Sequence, residues 1–158
     1  MSTSNSMKKP APRVVVANDH GAVELTARIV NFLKEEGFDV NYLGTSEKTS
    51  VDYPDMAQKA CNEFNRGGYS FGILCCGTGI GISISANKIK GIRCALVQNS
   101  YAARKAKEHN DANFLAFGGR IEYQEDVLQI IRAYIDAKVS DEERHVRRRK
   151  KMMALESC

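Results

Sequence analysis

The sequence predicts a three-layer α/β fold: a five-stranded parallel sheet with helices on both faces and one extra C-terminal helix. Two observations predict it. Short apolar or β-branched runs alternate with amphipathic helical stretches five times, with no repeat and no internal linker. That alternation gives parallel strands joined by crossover helices. The central run, Phe71-Gly72-Ile73-Leu74-Cys75, leads through Cys76-Gly77-Thr78-Gly79-Ile80-Gly81 into a helical pattern from Ile82 to Lys88. Strand, glycine turn, helix is how such folds expose backbone N–H groups at a helix N-terminus. The architecture is Rossmann-like and flavodoxin-like.

Arg13 to Ala17 is a β-branched run of the buried-strand type, ending in Asn18-Asp19-His20-Gly21. A helix follows with Leu25, Ile29, Phe32 and Leu33 on one stripe, and Gly37 as its C-terminal cap. Phe38 to Leu43 reads as a second strand, Gly44 to Ser50 as polar loop. Val51-Asp52-Tyr53-Pro54-Asp55 opens a second helix that ends at Gly67-Gly68. After the central unit come a strand from Arg93 to Val97, a helix from Ser100 to Glu108 and a strand from Phe114 to Phe117. Glu122 to Ala137 reads as an amphipathic helix, and Asp141 to about Leu155 as a very basic one. Residues 1–12 are polar and read as a disordered tail, leaving one domain over 13–155.

Composition narrows the function classes. With 158 residues, 43% hydrophobic and 27% charged, the chain is long enough for one real core. The net charge of +4 comes largely from the run Arg144 to Lys151, a narrower basic footprint than nucleic-acid binders carry. No apolar run approaches the roughly 20 residues of a membrane span, and the N-terminal stretch lacks the apolar core of a signal peptide. The five cysteines, Cys61, Cys75, Cys76, Cys94 and Cys158, form no C-x-x-C pair. Reduced thiols, a cytoplasmic location and no partner in nucleic acid or membrane are expected. His20, His109 and His145 lie far apart, so no metal site is expected.

Amides at a helix N-terminus can hold a phosphate or an oxyanion, and a thiol beside them has a stabilised thiolate. The bland readings stand beside this one. The turn can be a tight connection, and a cysteine is by default an inert core thiol. G-x-G-x-G is not the dinucleotide pattern G-x-G-x-x-G, and no Gly-Lys-Ser/Thr of a Walker loop follows. Cys75 and Cys76 are adjacent in a strand, so their side chains point to opposite faces. Asp19 can be a helix cap, His109 a charge partner at a helix C-terminus, and the arginine run a solvated face. Asp19-His20, Cys76-Gly77-Thr78, His109-Asn110 and Arg120 all follow strand ends or their helices, and are expected to converge on one sheet edge. Acid, base, amide cradle and arginines suit proton chemistry on a phosphorylated carbonyl compound.

Eight ordered motifs cover the chain from Arg13 to about Leu155. They are Asn18-Asp19-His20-Gly21, Val51-Asp52-Tyr53-Pro54-Asp55, Cys76 to Gly81, Ala86-Asn87-Lys88, Gly91-Ile92-Arg93, His109-Asn110-Asp111-Ala112-Asn113, Gly118-Gly119-Arg120 and Arg144-His145-Val146-Arg147-Arg148. The chain in this respect resembles the type B ribose-5-phosphate isomerases, a group that also takes in the galactose-6-phosphate isomerase subunits. The resemblance implies interconversion of ribose 5-phosphate and ribulose 5-phosphate through a cis-enediolate, with neither metal nor cofactor. It implies Cys76 as the base between C2 and C1, Thr78 as a further catalytic residue, and Gly77, Gly79 and Gly81 as the cradle. Some members use a glutamate near the end of the loop; Ile82 stands there and cannot replace the thiol. His109 matches the ring-opening acid–base. Asp19, His20, Tyr53, Asn110 and His145 match substrate contacts, and Arg120, Arg144 and Arg148 match the phosphate clamp. Cys75 replaces the usual apolar residue, and Asp141-Glu142-Glu143 replaces glycines; neither touches an assigned role. A six-carbon sugar phosphate is the alternative substrate, and a non-catalytic phosphate- or nucleotide-binding module the alternative class. The resemblance further implies a homodimer or a tetramer with shared sites. In it, Cys76 and the C-terminal arginines come from one chain, and His109, Asn110 and Arg120 from its partner. The basic final helix and the Ile130/Tyr134 helix are expected to leave more apolar surface than one small sheet needs, which suggests a symmetric dimer.

Overall fold

A computed structural model of the protein describes residues 7–157. Residues 1–6 of the expected tail and Cys158 lie outside it, and residues 7–12 belong to no helix or strand. Five strands form one parallel sheet in the order β2-β1-β3-β5-β4: β1 Arg13–Asn18, β2 Asp39–Tyr42, β3 Phe71–Cys76, β4 Cys94–Leu96 and β5 Phe114–Gly118. The helices are α1 Val23–Glu35, α2 Tyr53–Asn65, α3 Ile80–Asn87, α4 Ser100–Glu108, α5 Val127–Asp136 and α6 Glu143–Ala154. The expected architecture is therefore present, with short β2 and β4 at the edges.

Period-two alternation divides the core. Val14, Val16, Ile73, Cys75, Leu115 and Phe117 face α1, α4 and α5; Val15, Ala17, Leu74, Cys76 and Ala116 face α2 and α3. Cys75 and Cys76 thus point to opposite faces, as adjacency in a strand requires. β1, β3 and β5 are buried along both faces, the rule for the interior of a parallel sheet.

Two expectations change. The stretch from Glu122 is loop, not helix; α5 begins at Val127 because Asp126 caps it, Oδ1 accepting from Leu128 N–H at 2.9 Å. The apolar face of α5 is not spare surface: Ile130 is 0% and Tyr134 1% exposed, sealed by α4 and by the Phe71 ring at 5.2 Å. Apolar side chains left uncovered among the described residues include Ile80 (50%) and Ile84 (55%) on α3 and Leu96 (37%) on β4.

Phe114 fills one side of the sheet. Its ring packs on the bare backbone of Gly72 and lies 5.1 Å from the Phe64 ring. Phe114→Ala is expected to cost about 3–5 kcal/mol, lowering the melting temperature by ~2–4 °C per kcal/mol. Gly37→Ala, strained by φ +91 but meeting no neighbour within 4 Å, is expected to cost about 1–2 kcal/mol. Thermal melts of the two variants check this; equal losses would contradict the packing account.

Candidate active site

The outer order β2-β1-β3-β5 puts the turns after β1, β3 and β5 side by side at the carboxyl edge. They are fastened by backbone hydrogen bonds. Asp19 N–H donates to Cys75 O (3.0 Å), Gly119 N–H to Cys76 O (2.8 Å) and Arg120 N–H to Gly77 O (2.9 Å). Glycines make this approach feasible. A Cβ on Gly21 would lie 2.9 Å from Gly77 N, and a Cβ on Gly119 would run into Gly21 O. A Cβ on Gly77 would lie 3.1 Å from Arg120 Nη1, so the arginine rests on the glycine turn of its own chain.

Cys76 ends β3, 4% exposed. Gly79, at φ +79, turns the chain into α3, and its N–H donates to Cys76 Sγ at 3.1 Å. An amide at a helix N-terminus stabilises negative charge on the sulfur it faces. Ile80 N–H donates to Thr78 Oγ1 (3.2 Å), with Thr78 exposed at the mouth of the turn. The Tyr53 ring covers Gly81, where a Cβ would lie 2.6 Å from Tyr53 Cζ. Asp19 is 6% exposed and caps the following 3-10 turn, Oδ1 accepting from Gly21 N–H at 2.8 Å. His20 Nδ1 accepts from Val51 N–H at 3.2 Å, so the neutral ring carries its proton on Nε2. Burial pushes Cys61 and Cys75 up to about 12 and raises Cys94 as well.

His109 and Asn110 do not join this group. His109 caps the C-terminus of α4, which returns the chain to the start of β5. β5 pairs Phe114 with Gly72 and Gly118 with Cys76, so His109 belongs to the opposite edge of the sheet. A strand of that length separates the edges by about 13–17 Å. The expected convergence on one edge is thus overturned, because α4 runs back along the sheet before β5 begins. His109 instead stacks on His145 of α6, ring centroids 4.0 Å apart and planes at 12°. Arg149 holds the pair, Nη1 donating to His109 O (3.0 Å) and Nη2 to Ser140 O (2.8 Å). Burial, then the neighbouring His109 and Arg144, keep the His145 pKa below the usual imidazole value. Arg144 pairs with Glu142 at 3.0 Å, and exposed Arg148 follows one turn later on α6.

Within one chain Arg120 lies against the Cys76 turn, and α6 carries the C-terminal arginines beside His109. Sequence reasoning passed over Asn18, which stands in a quoted motif, and Arg149, which directly follows one. Their roles rest on long-range partners, Thr45 for Asn18 and His109 for Arg149, that no local pattern encodes. Among the described residues no group of three or more His, Cys, Asp or Glu side chains could hold a metal ion, and no helix is long and apolar enough to cross a membrane.

The Gly79 amide facing Cys76 Sγ, and the burial of the other thiols, predict their reactivity. Under limiting iodoacetamide at pH 7–8, Cys76 is expected to be alkylated at least about tenfold faster than Cys61, Cys75 or Cys94. Peptide mass mapping reads this; faster labelling of Cys75 would contradict the assignment of the thiolate site.

Residues 14–152 match the family described as Ribose/Galactose Isomerase. A solved structure of Clostridium thermocellum ribose-5-phosphate isomerase B superposes with TM-score 0.87 at 41% identity, covering 92% of this chain and 97% of that one. The Trypanosoma cruzi type B ribose 5-phosphate isomerase does so with TM-score 0.87 at 38% identity, covering 93% and 97%. The galactose-6-phosphate isomerase subunit LacB of Clostridium acetobutylicum is 38% identical over 125 residues, 79% of this chain and 72% of its own length. Glycine-turn thiol, stitched strand ends and chain-long similarity together place the protein in the ribose/galactose isomerase family of sugar-phosphate isomerases.

Proposed function

We propose that the protein interconverts D-ribose 5-phosphate and D-ribulose 5-phosphate without a metal or cofactor, in the cytoplasm, within the non-oxidative pentose phosphate pathway. The observation that carries this reading is the Gly79 N–H aimed at Cys76 Sγ at the start of α3. It supports a base and an anion cradle in a single turn, which a passive phosphate-binding module does not need.

In the proposed reaction the Cys76 thiolate takes the C2 proton of the open-chain aldose. The C–H electrons form the C1–C2 double bond, and the carbonyl pair moves onto O1. Amides of the Gly77–Gly81 turn hold the resulting cis-enediolate; one such donor typically contributes about 3–4 kcal/mol. The thiol returns the proton to C1, and the Thr78 hydroxyl serves the exchange between O1 and O2. Asp19 meets the sugar hydroxyls, and His20 offers its Nε2–H to an anionic oxygen. Tyr53 walls the cradle. Arg120, Arg144 and Arg148 bind the phosphate, for which guanidinium forks are suited. His109 opens the ring, with Asn110 contacting the reacting end and His145 holding the His109 ring flat.

His109 and Cys76 of one chain sit at opposite sheet edges, so this chemistry needs a second copy. We infer a two-fold homodimer in which His109, Asn110, Arg144, His145 and Arg148 complete the partner's site. The uncovered Ile80, Ile84 and Leu96 beside the cradle support a mating face there. A tetramer would repeat the same pair. The family's galactose-6-phosphate branch keeps a six-carbon substrate as the alternative, decided by comparing kcat/KM for ribose 5-phosphate with allose and galactose 6-phosphates.

Purified protein is expected to convert ribose 5-phosphate to ribulose 5-phosphate, and Cys76→Ala to lose at least about a hundredfold in kcat while still binding the sugar phosphate. His109→Asn is expected to slow the cyclic aldose far more than solvent proton exchange on the open ketose. Full activity in Cys76→Ala would overturn the mechanism. Equal losses on both substrates would move His109 into the enediol step.

A further inference from the structure

The loop after β2 is fastened to the β1 turn at both ends. Residues 43–52 contain no helix or strand. At the near end lies Asn18, 0% exposed. Its Nδ2 donates to Thr45 O (2.9 Å) and Asp19 O (2.9 Å), and its Oδ1 accepts from Tyr42 OH (2.8 Å). Gly44 sits so close that a Cβ there would collide with Asn18 Oδ1 and lie 2.8 Å from Asn18 N. At the far end Val51 N–H donates to His20 Nδ1 (3.2 Å). The chain then delivers Tyr53 onto Gly81.

Only a carboxamide meets these demands. It offers two donors to two carbonyls and one acceptor to a phenol in a single planar group. A carboxylate would oppose both carbonyls; an aliphatic side chain would leave all three partners without the bond Asn18 makes to them. The chain of contacts is continuous. Asn18 seats Thr45, the loop carries Val51, Val51 fixes the tautomer and tilt of His20, and the next helix begins at Tyr53.

We propose that Asn18 is a positioning residue, a latch that seats the 43–52 loop on the β1 turn and so sets His20 and Tyr53 for their ligand. It acts through them and does not touch the ligand. That the ligand is a sugar phosphate rests on the functional reading above.

The test combines amide hydrogen exchange and steady-state kinetics on the full chain, comparing wild type, Asn18→Asp and Tyr42→Phe. Asn18→Asp removes both donors. Tyr42→Phe removes one hydroxyl from a ring 39% exposed, so it folds even where the first variant does not, and then it alone decides. In Asn18→Asp, the Val51 amide and its loop are expected to exchange at least about tenfold faster while β1 and β3 keep their protection. KM for ribose 5-phosphate is expected to rise roughly tenfold with kcat within about threefold. Tyr42→Phe is expected to move both in the same direction by a few-fold.

Three results would overturn the latch: loop protection lost with KM unchanged, both unchanged, or a fall in melting temperature and kcat with KM fixed. The last is what a merely structural asparagine would give. If wild-type protein does not turn over the sugar phosphate, the functional reading fails on its own. The latch is then decided by exchange: lost Val51 protection supports it, retained protection overturns it.

Discussion

The site depends on one backbone constraint: the chain must leave β3 and enter α3 within three residues of Cys76. Gly79 makes that turn at φ +79, a conformation side chains resist, and in doing so aims its N–H at the sulfur. A Cβ on Gly79 would also meet Leu96 Cδ1 at 2.8 Å and the carbonyl carbon of Phe117 at 2.9 Å. The turn is therefore set by the neighbouring strands as well as by its own residues. Gly21, Gly77 and Gly119 repeat the logic at the adjoining turns, where backbones touch because nothing intervenes. Arg120 and Asp19 inherit their places from that contact.

The second constraint is topological. A crossover helix carries the chain from the carboxyl edge of a parallel sheet back to its amino edge. α4 does this, and His109 at its end is carried away from Cys76. α6 then returns alongside, stacking His145 on His109 and presenting Arg144 and Arg148 on the same side. One chain thus holds two groups of candidate residues, a thiol group and an imidazole–arginine group, at opposite edges; in the proposed dimer they are half-sites. Two-fold pairing joins unlike halves twice, so the fold's connectivity and the proposed dimer share one explanation.

The fold could be read from residue pattern because its determinants are local. Alternating apolar runs mark the strands, and Gly37, Gly67 and Gly68 end helices at positive φ, as their positions imply. The expected start at Glu122 lies ahead of α5 because Asp126 caps the helix there, Oδ1 accepting from Leu128 N–H. The thiol half was also readable, since strand, glycine turn and helix are contiguous in sequence. The grouping of halves was not. It turns on β5 lying between β3 and β4, and on α6 folding back to His109, facts of strand order and long-range contact. Surplus apolar surface was assigned to Ile130 and Tyr134 because periodicity shows amphipathicity but not which partner already covers it. In the fold, α4 covers α5, and α3 is left with Ile80 and Ile84 uncovered.

The central claim, that Cys76 of one copy works with His109 of another, is tested most directly by complementation. Cys76→Ala and His109→Ala chains, each inactive alone, are unfolded and refolded together in equal amounts and assayed for ribose 5-phosphate conversion. Each mixed dimer would carry one doubly damaged site and one intact site. With random pairing about half the dimers are mixed, so about a quarter of wild-type activity should return. No recovery, with mixed dimers confirmed by native mass spectrometry, would mean that the two residues act within one chain and would contradict the account.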